Sequence, residues 1–129
     1  MVHITDFFER LSPMARKVCI ERNTEPPHSG RYAKPGFNGM FLCVGCESVL
    51  FFAQDQFESK TGWPSFTQPY EPDALEYYRD DSGAEARTEV RCACCQSHLG
   101  HVFDDGPEPG KLRYCINSVA LILEDEIHE

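Results

Sequence analysis

The segments Cys43-Val44-Gly45-Cys46 and Cys92-Ala93-Cys94-Cys95 indicate the fold class, because each has the Cys-x-x-Cys spacing of a metal-binding turn. This spacing lets both sulfurs of a tight turn point at one ion, and the glycine permits the bend. Four thiolates complete the tetrahedral sphere of Zn²⁺, so we expect a structural zinc site. One alternative is that the two pairs are buried cysteines unrelated to each other. Another is that Cys92 pairs with Cys94 as a metal ligand, but the two-residue spacing of the first pair favours Cys95. The predicted ligands are Cys43, Cys46, Cys92 and Cys95.

The chain of 129 residues, 41% hydrophobic and 26% charged, predicts one globular domain that spans residues 1–129. Its net charge of −9 argues against nucleic acid and against an anionic membrane surface as partners. Residues 1–6 lack the basic region and apolar run of a secretion signal, and no stretch approaches the ~20 apolar residues of a membrane span. We expect a cytoplasmic monomer with reduced thiols, since seven cysteines, four of them in Cys-x-x-Cys pairs, fit a disulfide scaffold less well.

Residues 1–38 are predicted to form a helical and irregular N-terminal arm. Residues 3–22 have helical features, with Thr5 as a first cap and Ser12-Pro13 as a second helix start. Met14 and Val18 lie four residues apart and are expected to face the core. Prolines and glycines predict irregular chain in the rest of the arm.

Residues 39–123 are predicted to form a zinc-bearing catalytic β core. Residues 40–44 and 49–52 flank the first cysteine pair as a hairpin, and residues 86–92 alternate like a half-buried strand. Further strands are expected at residues 101–103, 112–116 and 119–123. Residues 55–85 have little periodicity and are predicted to form loops with short helical turns.

Cys115 is the cysteine that remains for chemistry, since it has no pair partner. A thiolate is the nucleophilic form of cysteine, and Arg113, on the same face of a strand, favours the thiolate. His98 and His101 can exchange protons near neutral pH, and Asn117 can donate a hydrogen bond. Each of these residues also has an ordinary structural interpretation, and the sequence alone does not show that they meet in space.

Trp63, the only tryptophan of the chain, lies in the segment Gly62-Trp63-Pro64-Ser65-Phe66. An indole on a turn of glycine and proline provides a rigid apolar wall that suits a methyl or thioether group. The ordinary alternative is a tryptophan packed in the core.

Four motifs together closely resemble the methionine-R-sulfoxide reductases of the MsrB family, over roughly residues 12–123. The motifs are Gly62-Trp63-Pro64-Ser65-Phe66, Arg87-Thr88-Glu89-Val90-Arg91-Cys92, His98-Leu99-Gly100-His101-Val102-Phe103-Asp104-Asp105-Gly106-Pro107 and Leu112-Arg113-Tyr114-Cys115-Ile116-Asn117-Ser118. The resemblance implies a mainly β fold of two antiparallel sheets, the MsrB/Mss4-like β-tent, with a short helical arm and a zinc distant from the active site.

The resemblance also implies the chemistry. The Cys115 thiolate attacks the sulfur of a peptide-bound methionine-R-sulfoxide and becomes a sulfenic acid, while His98 donates a proton to the oxygen. Trp63 and Phe103 contact the substrate. The remaining implied residues orient and tune Cys115 and the oxygen: His101, Asp105, Arg113 and Asn117.

The sequence departs from the family pattern at Thr61, where many members have the cysteine that resolves the sulfenic acid. Three routes for reducing the sulfenic acid remain open. Cys19 on the arm or Cys94 in the second cysteine pair could supply the thiol, although the use of Cys94 would disturb the zinc. The third route is an external thiol from thioredoxin, glutaredoxin or glutathione. The alternatives to a reductase are a zinc-ribbon interaction module without catalysis, and another thiol-dependent enzyme on the same scaffold. Only the module would tolerate loss of the Cys115 thiol.

Overall fold

The computed structural model describes residues 11–124, which form two antiparallel sheets and one short helix. The predicted helical features at residues 3–10 lie outside the described residues. The helix and strands are α1 (Pro13–Cys19), β1 (Met40–Cys43), β2 (Val49–Phe52), β3 (Gln56–Phe57), β4 (Ser65–Phe66), β5 (Leu75–Asp80), β6 (Arg87–Cys92), β7 (His98–Phe103), β8 (Arg113–Ile116) and β9 (Leu121–Glu124).

The strands confirm the predicted mainly β class. One sheet has three strands in the order β2-β1-β9, and the other has six in the order β3-β4-β8-β7-β6-β5. Every described pairing is antiparallel. No helix among residues 11–124 is long and apolar enough to cross a lipid bilayer.

Aromatic side chains join the two sheets. Phe41 on β1 and Phe51 on β2 both contact Phe66 on β4, and all three are fully buried. The Phe51 and Phe66 rings stack with centroids 4.2 Å apart. Each buried phenylalanine contributes about 1.5–3 kcal/mol of transfer free energy, so this contact anchors the three-stranded sheet to the site-bearing sheet.

Helix α1 is shorter than predicted. Ser12 caps its start, since the Ser12 hydroxyl accepts a hydrogen bond from the Ala15 amide at 3.1 Å. It ends at Cys19, and Arg22 then adopts a left-handed φ of 61° that turns the chain away from the helix. Val18 is buried as predicted, but the prediction for Met14 was wrong, because its side chain is 40% exposed.

Several other predictions along the core were wrong: the predicted loops of residues 55–85 contain β3, β4 and β5, and β7 begins at His98 rather than at residue 101. Residues 75–80, assigned to loops, form β5, an edge strand whose residues 77–79 are exposed, so it lacks the alternation that marks a half-buried strand. The last strand begins at Leu121 rather than at residue 119, because residues 118–120 form a 3-10 turn.

The two cysteine pairs fold into matching knuckles. In the first, the Glu47 amide donates to the Cys43 carbonyl at 2.8 Å, and in the second the Gln96 amide donates to the Cys92 carbonyl at 2.8 Å. Glu47 and Gln96 both adopt left-handed conformations, with φ of 67° and 68°. The knuckles therefore share one backbone geometry, which turns each pair of sulfurs towards the other.

The four predicted cysteines form one cluster, with their sulfurs within 4.8 Å of one another. Cys43 Sγ lies 3.6 Å from Cys95 Sγ, and Cys46 Sγ lies 3.6 Å from Cys92 Sγ. Sulfurs at the corners of a tetrahedron with Zn–S bonds of about 2.3 Å lie roughly 3.8 Å apart. The donor set thus fits a structural zinc ion, and Cys94, which is exposed, is not part of it.

We expect Cys43→Ser to release zinc and to lower the Tm by at least ~10 °C, because the binding free energy of a structural zinc is part of the folding free energy. Metal content by mass spectrometry and Tm by circular dichroism measure both effects. Cys94→Ser is the matched control and should retain zinc and Tm. An unchanged Tm in Cys43→Ser would contradict the clamp.

Candidate active site

Cys115 lies in the middle of the six-stranded sheet. Its backbone pairs with Ser65 on β4 and with His101 on β7. Gly100 lies beside it, and a Cβ atom at this glycine would overlap the Cys115 carbonyl. The glycine therefore allows β7 and β8 to approach closely enough to bring His101 beside Cys115.

The Cys115 side chain lines a cavity of about 230 Å³, which we call the inner cavity. Six of the predicted site residues line it: Trp63, His101, Phe103, Arg113, Cys115 and Asn117. Thr24, Thr61 and Arg87 also line it. Apolar and aromatic walls with a few polar groups are typical of a small-molecule site.

Two opposing influences act on the Cys115 thiol. Burial raises the Cys115 pKa above its ordinary value, and the Glu25 carboxylate raises it further. The charge of Arg113 and hydrogen bonds from Arg113 and Thr61 lower the pKa. The net pKa is raised, so the resting thiol is protonated near neutral pH. Reaction therefore requires a group that takes up the thiol proton or a substrate that favours the thiolate.

Arg113 is fixed by an acidic and an aromatic neighbour. Its Nε and Nη2 atoms donate to the two Asp105 carboxylate oxygens at 2.8 and 3.1 Å. Its guanidinium carbon lies 4.4 Å from the centre of the Phe103 ring. Asp105 therefore acts on Cys115 only through Arg113, by holding that charge in place.

His101 is paired with a carboxylate that the sequence analysis did not single out. His101 Nε2 lies 2.7 Å from Asp80 Oδ2, and Asp80 is 5% exposed. Hydrogen bonds from the Ser82 side chain and amide, together with the one from His101, hold the Asp80 pKa well below its usual range. The charged Asp80 occupies one ring nitrogen of His101 and leaves the other for proton exchange.

A β-bulge places His98 on the same face of the sheet as His101. Residues three apart face opposite sides of a regular strand, but Val90 pairs with Gly100 while Arg91 pairs with His98. Leu99 is the extra residue, and the two histidine rings consequently lie 5.5 Å apart. His98 does not line the inner cavity but lies beside the ring that does.

Glu89 is the second carboxylate that sequence reasoning missed. Glu89 is fully buried, and its Oε2 lies 2.7 Å from His98 Nδ1. Arg22 and Arg91 each donate a pair of hydrogen bonds to its carboxylate. Burial raises its pKa, but the bonds from Arg91 and His98 outweigh burial, so the net pKa is lowered. Burial also lowers the pKa of His98, although Glu89 opposes this effect. His98 Nε2 is buried without a partner among the described residues.

Glu25 on the N-terminal arm connects two walls of the site. Its carboxylate accepts hydrogen bonds from the Ser118 and Val119 amides at 2.8 and 3.0 Å. Its amide donates to Asn117 Oδ1 at 2.9 Å, and its carbonyl accepts from Trp63 Nε1 at 3.0 Å. The buried carboxylate anchors Glu25, and its backbone amide and carbonyl thereby position Asn117 and Trp63.

The two cysteines considered for resolving the sulfenic acid lie apart from the inner cavity. Cys19 is buried on α1, 4% exposed, and its neighbours include Ser97 and the cluster residue Cys95. Cys94 is exposed in the second knuckle. Neither cysteine lines the inner cavity, whereas Thr61 does.

Arg113→Met should slow alkylation of Cys115 by iodoacetamide roughly threefold or more at pH 8, because it removes the charge that lowers the Cys115 pKa. In the unaltered protein the alkylation rate should rise continuously from pH 7 to above pH 9. Mass spectrometry of the Cys115 peptide follows the rate. Arg79→Met removes an exposed charge elsewhere and should leave the profile unchanged; an equal effect of both variants would contradict the role of Arg113.

The sequence matches a known family and several named proteins. The model of the SelR domain family matches residues 11–125. A protein of Thioalkalivibrio sulfidiphilus is 52% identical over 113 residues, which cover 88% of this chain and 82% of the relative. A protein of Pasteurella multocida is 44% identical over 117 residues, 91% of this chain and 90% of the relative. A protein of Bradyrhizobium diazoefficiens is 52% identical over 114 residues, 88% of this chain and 82% of the relative.

All three relatives carry the name peptide methionine sulfoxide reductase MsrB. The family match and the three alignments each cover most of the chain. The protein therefore belongs to the SelR domain family, together with the MsrB reductases.

Proposed function

We propose that this protein reduces methionine-R-sulfoxide in oxidised proteins to methionine, with thiols as the source of electrons. The observation that carries the proposal is a half-buried thiol, Cys115, in a cavity that is also lined by Trp63 and Phe103. A zinc-ribbon interaction module is not favoured, because such a module has no need for Cys115 or for its paired histidines. Family membership supports the same activity.

The proposed reaction transfers oxygen from the substrate to Cys115. The thiolate sulfur attacks the sulfoxide sulfur, the S–O bond breaks, and methionine leaves with Cys115 as the sulfenic acid. The thiol proton goes to the departing oxygen. Two external thiols then reduce the sulfenic acid and yield one disulfide and one water.

The proposed proton donor is His98, with His101 as its partner. Each ring has one nitrogen at 2.7 Å from a buried carboxylate, Glu89 for His98 and Asp80 for His101. Burial lowers the pKa of His98 and so favours its release of a proton, while Glu89 opposes this effect and leaves Nε2 as the nitrogen that exchanges the proton. The role of Asn117 is to hold the oxygen, and Arg113 favours the thiolate.

The proposed methyl site is the wall formed by Trp63 and Phe103. A thioether or sulfoxide methyl packs well against aromatic rings, and the bond from Trp63 Nε1 to the Glu25 carbonyl fixes the indole. A rigid indole orients the sulfoxide so that one configuration presents its oxygen to the histidines.

We propose that an external thiol, from thioredoxin, glutaredoxin or a small thiol, regenerates Cys115. Cys19 is buried in α1 beside Cys95, so it would reach Cys115 only if the arm unpacked from the core. That route remains the alternative proposal. We also propose a cytoplasmic monomer, because the activity requires reduced thiols and the negative charge repels like chains.

Cys115→Ser should abolish reduction of an R-sulfoxide peptide with dithiothreitol, because a hydroxyl is not ionised near neutral pH and cannot accept the oxygen in this way. Its Tm should stay within roughly 2 °C, since serine is close to cysteine in size. Chromatography of the peptide measures turnover. Cys94→Ser should keep full activity, and turnover by Cys115→Ser would exclude the proposed mechanism.

Thr61→Cys should create a thioredoxin-dependent enzyme, because Thr61 lies within hydrogen-bond reach of the Cys115 sulfur. After one turnover without reductant, the new thiol and Cys115 should form a disulfide that mass spectrometry detects. The activity with thioredoxin should rise relative to the activity with dithiothreitol.

Ser59→Cys is the matched control for this experiment. Ser59 lies on the same loop, and its hydroxyl contacts Thr61 at 2.9 Å, but it does not line the inner cavity. A persistent sulfenic acid in Thr61→Cys, equal to that in the control, would show that the loop does not approach Cys115 during the cycle.

A further inference from the structure

A second and larger cavity adjoins the inner cavity. It measures about 690 Å³. One wall is formed by residues 83–88, in the β5–β6 turn and the start of β6. The other wall is formed by residues 102–104, at the end of β7, and by Leu112. Arg87 and Phe103 line both cavities. The two cavities therefore form one continuous depression, and we call the larger part the outer groove.

The sizes of the two parts suit different portions of a substrate. The inner cavity of about 230 Å³ is smaller than the roughly 300–1,000 Å³ of a typical ligand pocket, so it holds little more than one side chain. The outer groove, at about 690 Å³, has room for further residues. A methionine sulfoxide within a polypeptide has neighbours on both sides, and the groove is the adjoining space open to them.

The charge of the outer groove is negative. Arg87 is the only cation that lines it, and Arg87 Nη2 lies 3.2 Å from the buried Asp80 carboxylate. Glu85 on one wall and Asp104 on the other are exposed carboxylates, and neither forms an ion pair with another residue in the range 11–124. The nearby Arg113 is already occupied by Asp105.

The rest of the lining is small or apolar, as at Ala84, Ala86, Val102 and Leu112. A side chain with a long aliphatic stem and a cationic head matches such a surface, since the stem packs on apolar atoms and the head approaches the carboxylates. The net charge of −9 adds a long-range attraction for cationic segments. Lysine and arginine have this chemistry, whereas glutamate and aspartate are repelled.

We propose that the outer groove binds the residues next to methionine sulfoxide in the substrate chain and selects lysine or arginine there over acidic residues. This inference rests on the proposed reductase function and specifies its substrate class. Glu85 and Asp104 are the residues that determine the preference. The interaction is exposed and therefore weakens as salt screens it.

The test compares peptides that carry a lysine pair or a glutamate pair on the N-terminal or the C-terminal side of one methionine-R-sulfoxide. N-acetyl-methionine-R-sulfoxide amide serves as a substrate without flanking residues. We expect the lysine peptide to exceed the glutamate peptide about fivefold in kcat/KM on at least one side, and less at 0.5 M salt. Equal values for both peptides on both sides would overturn the inference.

Variants then attribute the preference to the groove. Glu85→Gln/Asp104→Asn should reduce the lysine preference to about twofold or less, and Glu85→Lys should shift it towards the glutamate peptide. Asp81→Asn/Asp73→Asn removes the same number of exposed charges outside the groove and should keep the preference. A loss of preference as large in this control would assign the effect to net charge and overturn the role of the groove.

The outcome for the capped amino acid separates the two hypotheses. If the unaltered enzyme reduces it but does not distinguish the peptides, the groove inference fails and the reductase function stands. If the unaltered enzyme reduces neither the capped amino acid nor any peptide, the reductase function fails and the groove inference fails with it.

Discussion

The four-thiolate cluster is the constraint on which the rest of the structure depends, because its two cysteine pairs come from different sheets. Cys43 ends β1 of the three-stranded sheet and Cys46 lies in the turn after it, whereas Cys92 ends β6 of the six-stranded sheet and Cys95 lies in the turn that leads to β7. Sulfurs 3.6 Å apart across the two pairs leave little freedom between the sheets. The start of β7 is thereby fixed, and His98, the first residue of β7, lies three positions after the last ligand. A four-cysteine cluster can thus organise a candidate site that it does not touch.

The bulge at Leu99 converts that anchored strand into a site. It places His98 on the face that already carries His101, and the Leu99 carbonyl accepts two hydrogen bonds from Asn117, both at 2.9 Å. The irregular backbone is therefore satisfied, so the bulge carries no unpaired buried carbonyl. The two histidines and Cys115 on β8 then share one surface, although the histidines would lie on opposite faces of a regular strand.

The sequence predicted those parts of the site that depend on spacing. The Cys-x-x-Cys pairs identify the cluster, and Cys115 is conspicuous because it has no pair partner. Glu89 could not be predicted in the same way: in the alternating segment of residues 86–92 it shares a face with Arg87 and Arg91, and a face of charged side chains is expected to be exposed. The structure buries it because Arg22 reaches it from the arm, a contact between residues 67 positions apart. Asp80 was missed for a related reason, since two successive acidic residues are typical of a solvent-exposed loop.

The N-terminal arm is part of the site's architecture rather than an attachment to the core. Arg22 compensates the buried charge of Glu89, and Glu25 brings a second buried carboxylate to the backbone after Asn117. A buried carboxylate is costly unless several donors satisfy it, and here the donors come from distant parts of the chain. Arg91 and His98 also satisfy Glu89, but the docked arm adds the paired bonds from Arg22, and it supplies Glu25, which positions Asn117. Docking of the arm and assembly of the candidate site are therefore coupled.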